Sequence, residues 1–132
     1  MKILVVDDDP TLAHTIQQTL TDHEVLGERD PSTAVERALD ADVGGDPFGV
    51  VLWNYRMPPI QGLDVRASLE SLKAPALFVL LSGYDTVVEA ASGADYTLLE
   101  PLSATELRTL IDYITMARSR APTRRIRMLA PA

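Results

Sequence analysis

Four polar stretches each follow a short apolar run. Asp7-Asp8-Asp9 follows Ile3–Val6, Asn54 follows Val50–Trp53, Ser82-Gly83 follows Leu77–Leu81, and Glu100-Pro101 follows Tyr96–Leu99. Carboxylate, amide and hydroxyl oxygens are the donors that hard divalent cations prefer. An aspartate run also has a plainer reading, in which Asp9 caps a helix and its neighbours sit in a solvated loop. Taken alone, the triplet divides evenly between the two. The recurrence of polar residues at four run ends favours a shared cleft.

The elements that must carry these residues alternate. A further apolar pair, Val25-Leu26, makes five short strands. Between them the apolar positions fall three and four apart: Leu12, Ala13, Ile16 and Leu20; Ala34, Val35, Ala38 and Leu39; Val65, Leu69 and Leu72; Leu107, Leu110, Ile111 and Ile114. That spacing predicts amphipathic helices. Asp9-Pro10 and Asp30-Pro31 each set a capping acid before a proline suited to the first helical turn, and Ser103-Ala104-Thr105-Glu106 has capping-box spacing. Segment 84–92 has the weakest helical pattern and is expected to form a short, mobile helix. Strands that read as continuous apolar runs are buried on both faces, which implies a parallel sheet covered by helices on each side. The expected architecture is α/β, a flavodoxin-like (βα)5 doubly wound sheet. In such a sheet ligands sit beyond the carboxyl ends of the strands, where the four polar stretches stand.

Composition excludes several functions. At 132 residues, 46% of them apolar, the chain suits one compact domain, expected over residues 1–117. With no cysteine there are no disulfides, thiolate metal sites or cysteine nucleophiles. No apolar run approaches the roughly 20 residues of a membrane span, and the first is too short for a secretory core, so a cytoplasmic location is expected. The net charge is −7, and all 19 acids lie within residues 1–117. Five of the 12 basic residues, Arg118, Arg120, Arg124, Arg125 and Arg127, fall in the last fifteen, which read as a solvated tail or linker over 118–132. An acidic body disfavours nucleic acid as a partner. No Ser-His-acid set, P-loop or glycine-rich fingerprint is present, and both His14 and His23 lie away from the strand ends. An enzyme is not expected.

In order and spacing, "ILVVDDD", "NYRMPPIQG", "LLSGYD" and "GADYTLLEP" make residues 2–117 resemble a response-regulator receiver (CheY-like) domain. The resemblance implies strand order 2-1-3-4-5. It also implies a cleft in which two acids after strand one and an aspartate after strand three hold Mg²⁺. That aspartate accepts a phosphoryl group from a histidine kinase, while a Ser/Thr after strand four and a lysine after strand five contact the phosphoryl oxygens. By position these are Asp7 and Asp8, Asn54, Ser82 and Glu100.

Two of the five positions depart from the pattern. An amide nitrogen lone pair is delocalised, so Asn54 cannot attack phosphorus as a carboxylate does. Glu100 would repel the phosphoryl group that a lysine pairs with. Two changes that disable one reaction from both ends suggest an atypical, unphosphorylated pseudo-receiver in two-component signalling. A third departure concerns the aromatic that often stands three residues before the lysine. Thr97 holds that position, and Tyr96 beside it points to the opposite face. Arg56, two residues beyond Asn54, is expected at the cleft rim, paired with Glu100. Mg²⁺ binding is expected to be weak, and Trp53 and Met57 are read as packing residues. In this family the bond corresponding to Glu100-Pro101 is often cis. Function is expected through protein contact, with a partner or a second copy, over roughly residues 84–117. Two alternatives stand beside it: a cleft that binds a small molecule or metal ion, and the receiver half of a longer transcriptional regulator.

Overall fold

The computed structural model describes residues 1–54, 67–82 and 94–120 of the chain. Its elements are β1 (Lys2–Val6), α1 (Pro10–Thr19), β2 (Glu24–Glu28), α2 (Pro31–Val43), β3 (Val50–Asn54), β4 (Leu77–Ser82), β5 (Tyr96–Leu99) and α3 (Ala104–Arg120), with a helical segment at 67–70 ahead of β4. All strand pairs are parallel and the order is β2-β1-β3-β4-β5, the doubly wound arrangement expected. Among the described residues no helix is long and apolar enough to cross a membrane.

The helix starts follow from local chemistry. Asp9 accepts a hydrogen bond from Thr11 N at 2.9 Å, and Asp30 accepts from both Thr33 N (2.9 Å) and Thr33 Oγ1 (2.8 Å). Each cap stands before a proline in the first turn, where the missing N–H costs nothing. Ser103 Oγ accepts from Glu106 N at 3.2 Å at the head of α3.

Strand alternation sorts the core into two faces. Leu4, Val6, Val51, Trp53, Phe78 and Leu80 point to one side and pack with Ala34 and Ala38 of α2, Phe48, Leu69 and Leu72. Their neighbours Ile3, Val5, Leu52, Val79 and Leu81 are equally buried and face the other way. Trp53 is core, as expected, at 1% exposure. Leu39 is not. It was expected on the α2 stripe, but the buried face runs through Pro31, Ala34 and Ala38 and turns Leu39 out to solvent.

Contacts divide the chain into two compact units, Met1–Leu102, which carries the whole sheet, and Ser103–Ala132. In the second unit Leu107, Ile111 and Ile114 form a buried stripe on α3. The helix runs to Arg120, three residues beyond the domain boundary expected at 117. Arg118 and Arg120 are therefore helical. Val65, Met57 and the helix expected at 84–92 lie outside the described residues, as does the tail from 121 on.

Two carboxylates fix the entry into the central strands. Asp42 accepts from Lys73 N (2.8 Å) and Ala74 N (3.0 Å) in the turn before β4. Asp95 accepts from Phe78 N through its side chain and donates from its own N to Phe78 O, both at 2.8 Å, which sets the β4–β5 register. The Glu100–Pro101 peptide is cis.

Candidate functional site

The register brings the polar run ends to one sheet edge. Val6 is level with Trp53, Asn54 with Leu81, and Ser82 with Leu99. Asp7, Asn54, Ser82 and Glu100 therefore all stand at the carboxyl ends of their strands. A groove of about 490 Å³ opens there, lined by the polar Asp7, Asp8, Asp9, Asn54 and Glu100 and the apolar Leu12, Leu81, Pro101 and Leu102.

The aspartate triplet divides three ways. Asp7 is buried, at 8% exposure, and its own N donates to Glu28 O at 3.1 Å. Its carboxylate accepts from Asp9 N at 3.2 Å and from the Asn54 amide. Burial, reinforced by the neighbouring Asp8 carboxyl, pushes Asp7 above the usual carboxylate range against the pull of those two donors. Asp8 is exposed. Asp9, also exposed, is the helix cap, and the Thr11 backbone N–H and the charge of Arg29 hold its carboxyl below its ordinary value. The capping reading of the triplet holds for Asp9 alone.

Asn54 is half-buried at the end of β3, and Glu100 is exposed one residue beyond β5. Tyr96 and Thr97 are both half-buried and lie level with Val79 and Leu80. Arg56, expected as the counter-charge for Glu100, lies outside the described residues. A different cation meets the acid loop: Arg29 donates from Nε to Asp8 O at 3.2 Å. Sequence reasoning passed over it because Val25-Leu26 was too short a run to mark a strand end. The available signal was Arg29's place one residue past that strand.

His23 belongs to the opposite edge, where its Nδ1 meets the Met1 amino group at 3.1 Å, and His14 is exposed on α1. Among the described residues no group of three or more His, Cys, Asp or Glu side chains is placed to hold a metal ion. Asp7 and Asp8 offer two carboxylates and Asn54 a neutral amide oxygen, which does not make a full Mg²⁺ cage.

The response regulator receiver domain family matches residues 3–112. The C4-dicarboxylate transport transcriptional regulatory protein DctD of Pseudomonas aeruginosa is 32% identical over 102 residues, which cover 75% of this chain and 21% of DctD. The chemotaxis protein CheY-3 of Vibrio cholerae is 31% identical over 122 residues, covering 86% of this chain and 91% of CheY-3. Among solved structures, the response regulator signal receiver domain from Bermanella marisrubri superposes with a TM-score of 0.73 at 26% identity, over 86% of this chain and 97% of that one. The sheet order, the polar strand ends and these likenesses agree: the chain belongs to the response regulator receiver domain family.

Proposed function

We propose that this receiver domain acts in two-component signalling through protein contact, without itself being phosphorylated. One observation carries the reading: at the end of β3, where the family places its phosphoryl acceptor, Asn54 presents an amide that donates a hydrogen bond to Asp7. Amide resonance leaves that group without the nucleophilic carboxylate oxygen that phosphoryl transfer needs. Glu100, at the family's lysine position, adds negative charge to the groove wall that a phosphoryl donor would have to approach. Within the expected contact stretch 84–117 the exposed large apolar side chains of the described residues are Leu99, Tyr113 and Met116. Tyr113 and Met116 sit three apart on α3, so one helix face presents both.

A second reading keeps the same domain as part of a longer regulator. The chain spans 21% of DctD, a transcriptional regulatory protein, and 51% of the DNA-binding response regulator MtrA of Mycolicibacterium smegmatis. On that reading an attached effector domain is the partner.

The test is intact-mass measurement after incubation with acetyl phosphate. Wild type, Asn54→Asp and Glu100→Lys are expected to stay unmodified or nearly so. The pair Asn54→Asp/Glu100→Lys is expected to gain about 80 Da, one phosphoryl group. A stable adduct on the wild type overturns the proposal.

A further inference from the structure

β2 is one edge of the sheet, and an edge strand offers unpaired backbone groups on which another strand can build. Glu24 N donates to Met1 O at 3.0 Å and Asp7 N donates to Glu28 O at 3.1 Å, so the even-numbered residues of β2 turn their backbone groups toward β1. By alternation the N–H and C=O groups of Val25 and Gly27 point outward, off the sheet. Neither carbonyl is bare. Gln17 Nε2, from α1, donates to Val25 O at 2.9 Å, and an Arg37 guanidinium nitrogen, from α2, donates to Gly27 O at 3.0 Å.

The two donors come from opposite faces. Gly27 faces α1, since a Cβ built on it would meet Ala13 Cβ at 2.8 Å. Glu28 therefore faces α2, where its carboxylate pairs with the same Arg37 nitrogen at 3.0 Å and holds the guanidinium over the strand. Long side chains lose rotamer freedom when fixed, and neither Gln17 nor Arg37 is needed to fill the core.

We propose that Gln17 and Arg37 form a guard on the β2 edge, closing a latent strand-addition surface to a second copy of this chain. A strand arriving there must supply donors to Val25 O and Gly27 O, and both acceptors are already occupied by groups tethered within the domain. With the guard in place, association is directed away from the β2 edge.

The experiment uses the full chain with Gln17→Ala and Arg37→Ala combined, followed by sedimentation velocity over a concentration series. The double variant is expected to self-associate at least about tenfold more tightly than wild type. In the associated species the Val25 and Gly27 amides should exchange with solvent more slowly at high than at low protein concentration. A double variant that stays as monomeric as wild type overturns the proposal. So does association that leaves those two amides unprotected, because the contact then lies elsewhere. If the alanine pair does not fold, Gln17→Glu with Arg37→Met keeps side-chain length, removes both donors, and is read against the same two outcomes.

Discussion

Asn54→Asp places a carboxylate against one that is already strained. In the wild type the Asn54 amide donates to Asp7, whose carboxyl stands above its usual range because it is buried and lies beside Asp8. The substitution replaces a donor by an acceptor, and losing that hydrogen bond costs about 1 kcal/mol. It also sets two carboxylates at close range. At about 4 Å and an effective dielectric near 20, two like charges repel by about 4 kcal/mol, an upper bound because the pair can instead retain one proton. Together these give an expected loss of about 2–4 kcal/mol at pH 7 without divalent ions, a large share of a typical total of about 5–15 kcal/mol. The pH dependence has a definite sign. Asp7 already has a folded pKa above its unfolded value and a second carboxylate raises it further, so the cost is fully present above the folded pKa and disappears as pH falls toward the ordinary value of 3.8. Mg²⁺ should act in the same direction at pH 7, returning about 2.7 kcal/mol at 100 times its dissociation constant. Urea unfolding reports this through Trp53, the single tryptophan, which sits next to the substituted residue in the core. A variant as stable as wild type at pH 7, or a loss that persists unchanged at pH 4 and ignores Mg²⁺, would refute the reasoning.

Three further outcomes follow. Gly27→Ala should cost about 1–3 kcal/mol in urea unfolding, because its Cβ would fall 2.8 Å from Ala13 Cβ, and Ala13→Gly in the same chain should recover part of it. Burial alone would raise the Glu28 carboxyl, but Arg37 and the N–H groups of Asp30 and Arg29 outweigh it and hold the group below its ordinary value. Its contribution is therefore present at neutral pH and lost as pH falls through the folded pKa, so Arg37→Ala should flatten the acid limb of a stability–pH curve. Tyr113→Ser with Met116→Ser should leave the melting temperature close to wild type, since both side chains are about half exposed, while weakening capture of the protein partner.

Most of the architecture was legible because the signals were redundant. Each of β1, β3 and β4 contains an unbroken run of four or five apolar residues, and α1 and α2 each announce themselves twice, by an aspartate–proline start and by helical spacing. β2 was legible only as Val25-Leu26, so the residues at its end, Glu28 and Arg29, were not read as neighbours of the acid loop. The triplet shows another limit. Three identical residue types in a row carry no information about which is buried, and burial is what separates Asp7 from Asp8 and Asp9. Leu39 failed for a geometric reason: at about 100° per residue it stands roughly 100° from Ala38 and about 140° from Ala34, off the stripe that those two define. The guard residues had no signature at all, since Gln17 and Arg37 are ordinary surface types until a strand edge is placed beneath them.

The two departures at the strand ends are best weighed by charge. Relative to the receiver pattern, an amide in place of the acceptor aspartate removes one negative charge from the groove, and a glutamate in place of the lysine shifts it by two in the opposite sense. The groove is thus more negative by one unit than the pattern it departs from, because the count of acids is unchanged and the lysine cation is gone. The two changes also differ in environment. Asn54 is half-buried and bonded to Asp7, where a charge difference is weakly screened; Glu100 is exposed, where water and salt blunt it. Asn54 therefore sets the state of the buried acid, and Glu100 sets the field met by an arriving ligand. On the proposed reading, an incoming phosphoryl group would meet repulsion at the rim before it met an unreactive amide within. Reversing either change alone leaves the other barrier standing, which is why only the paired variant is expected to regain the chemistry.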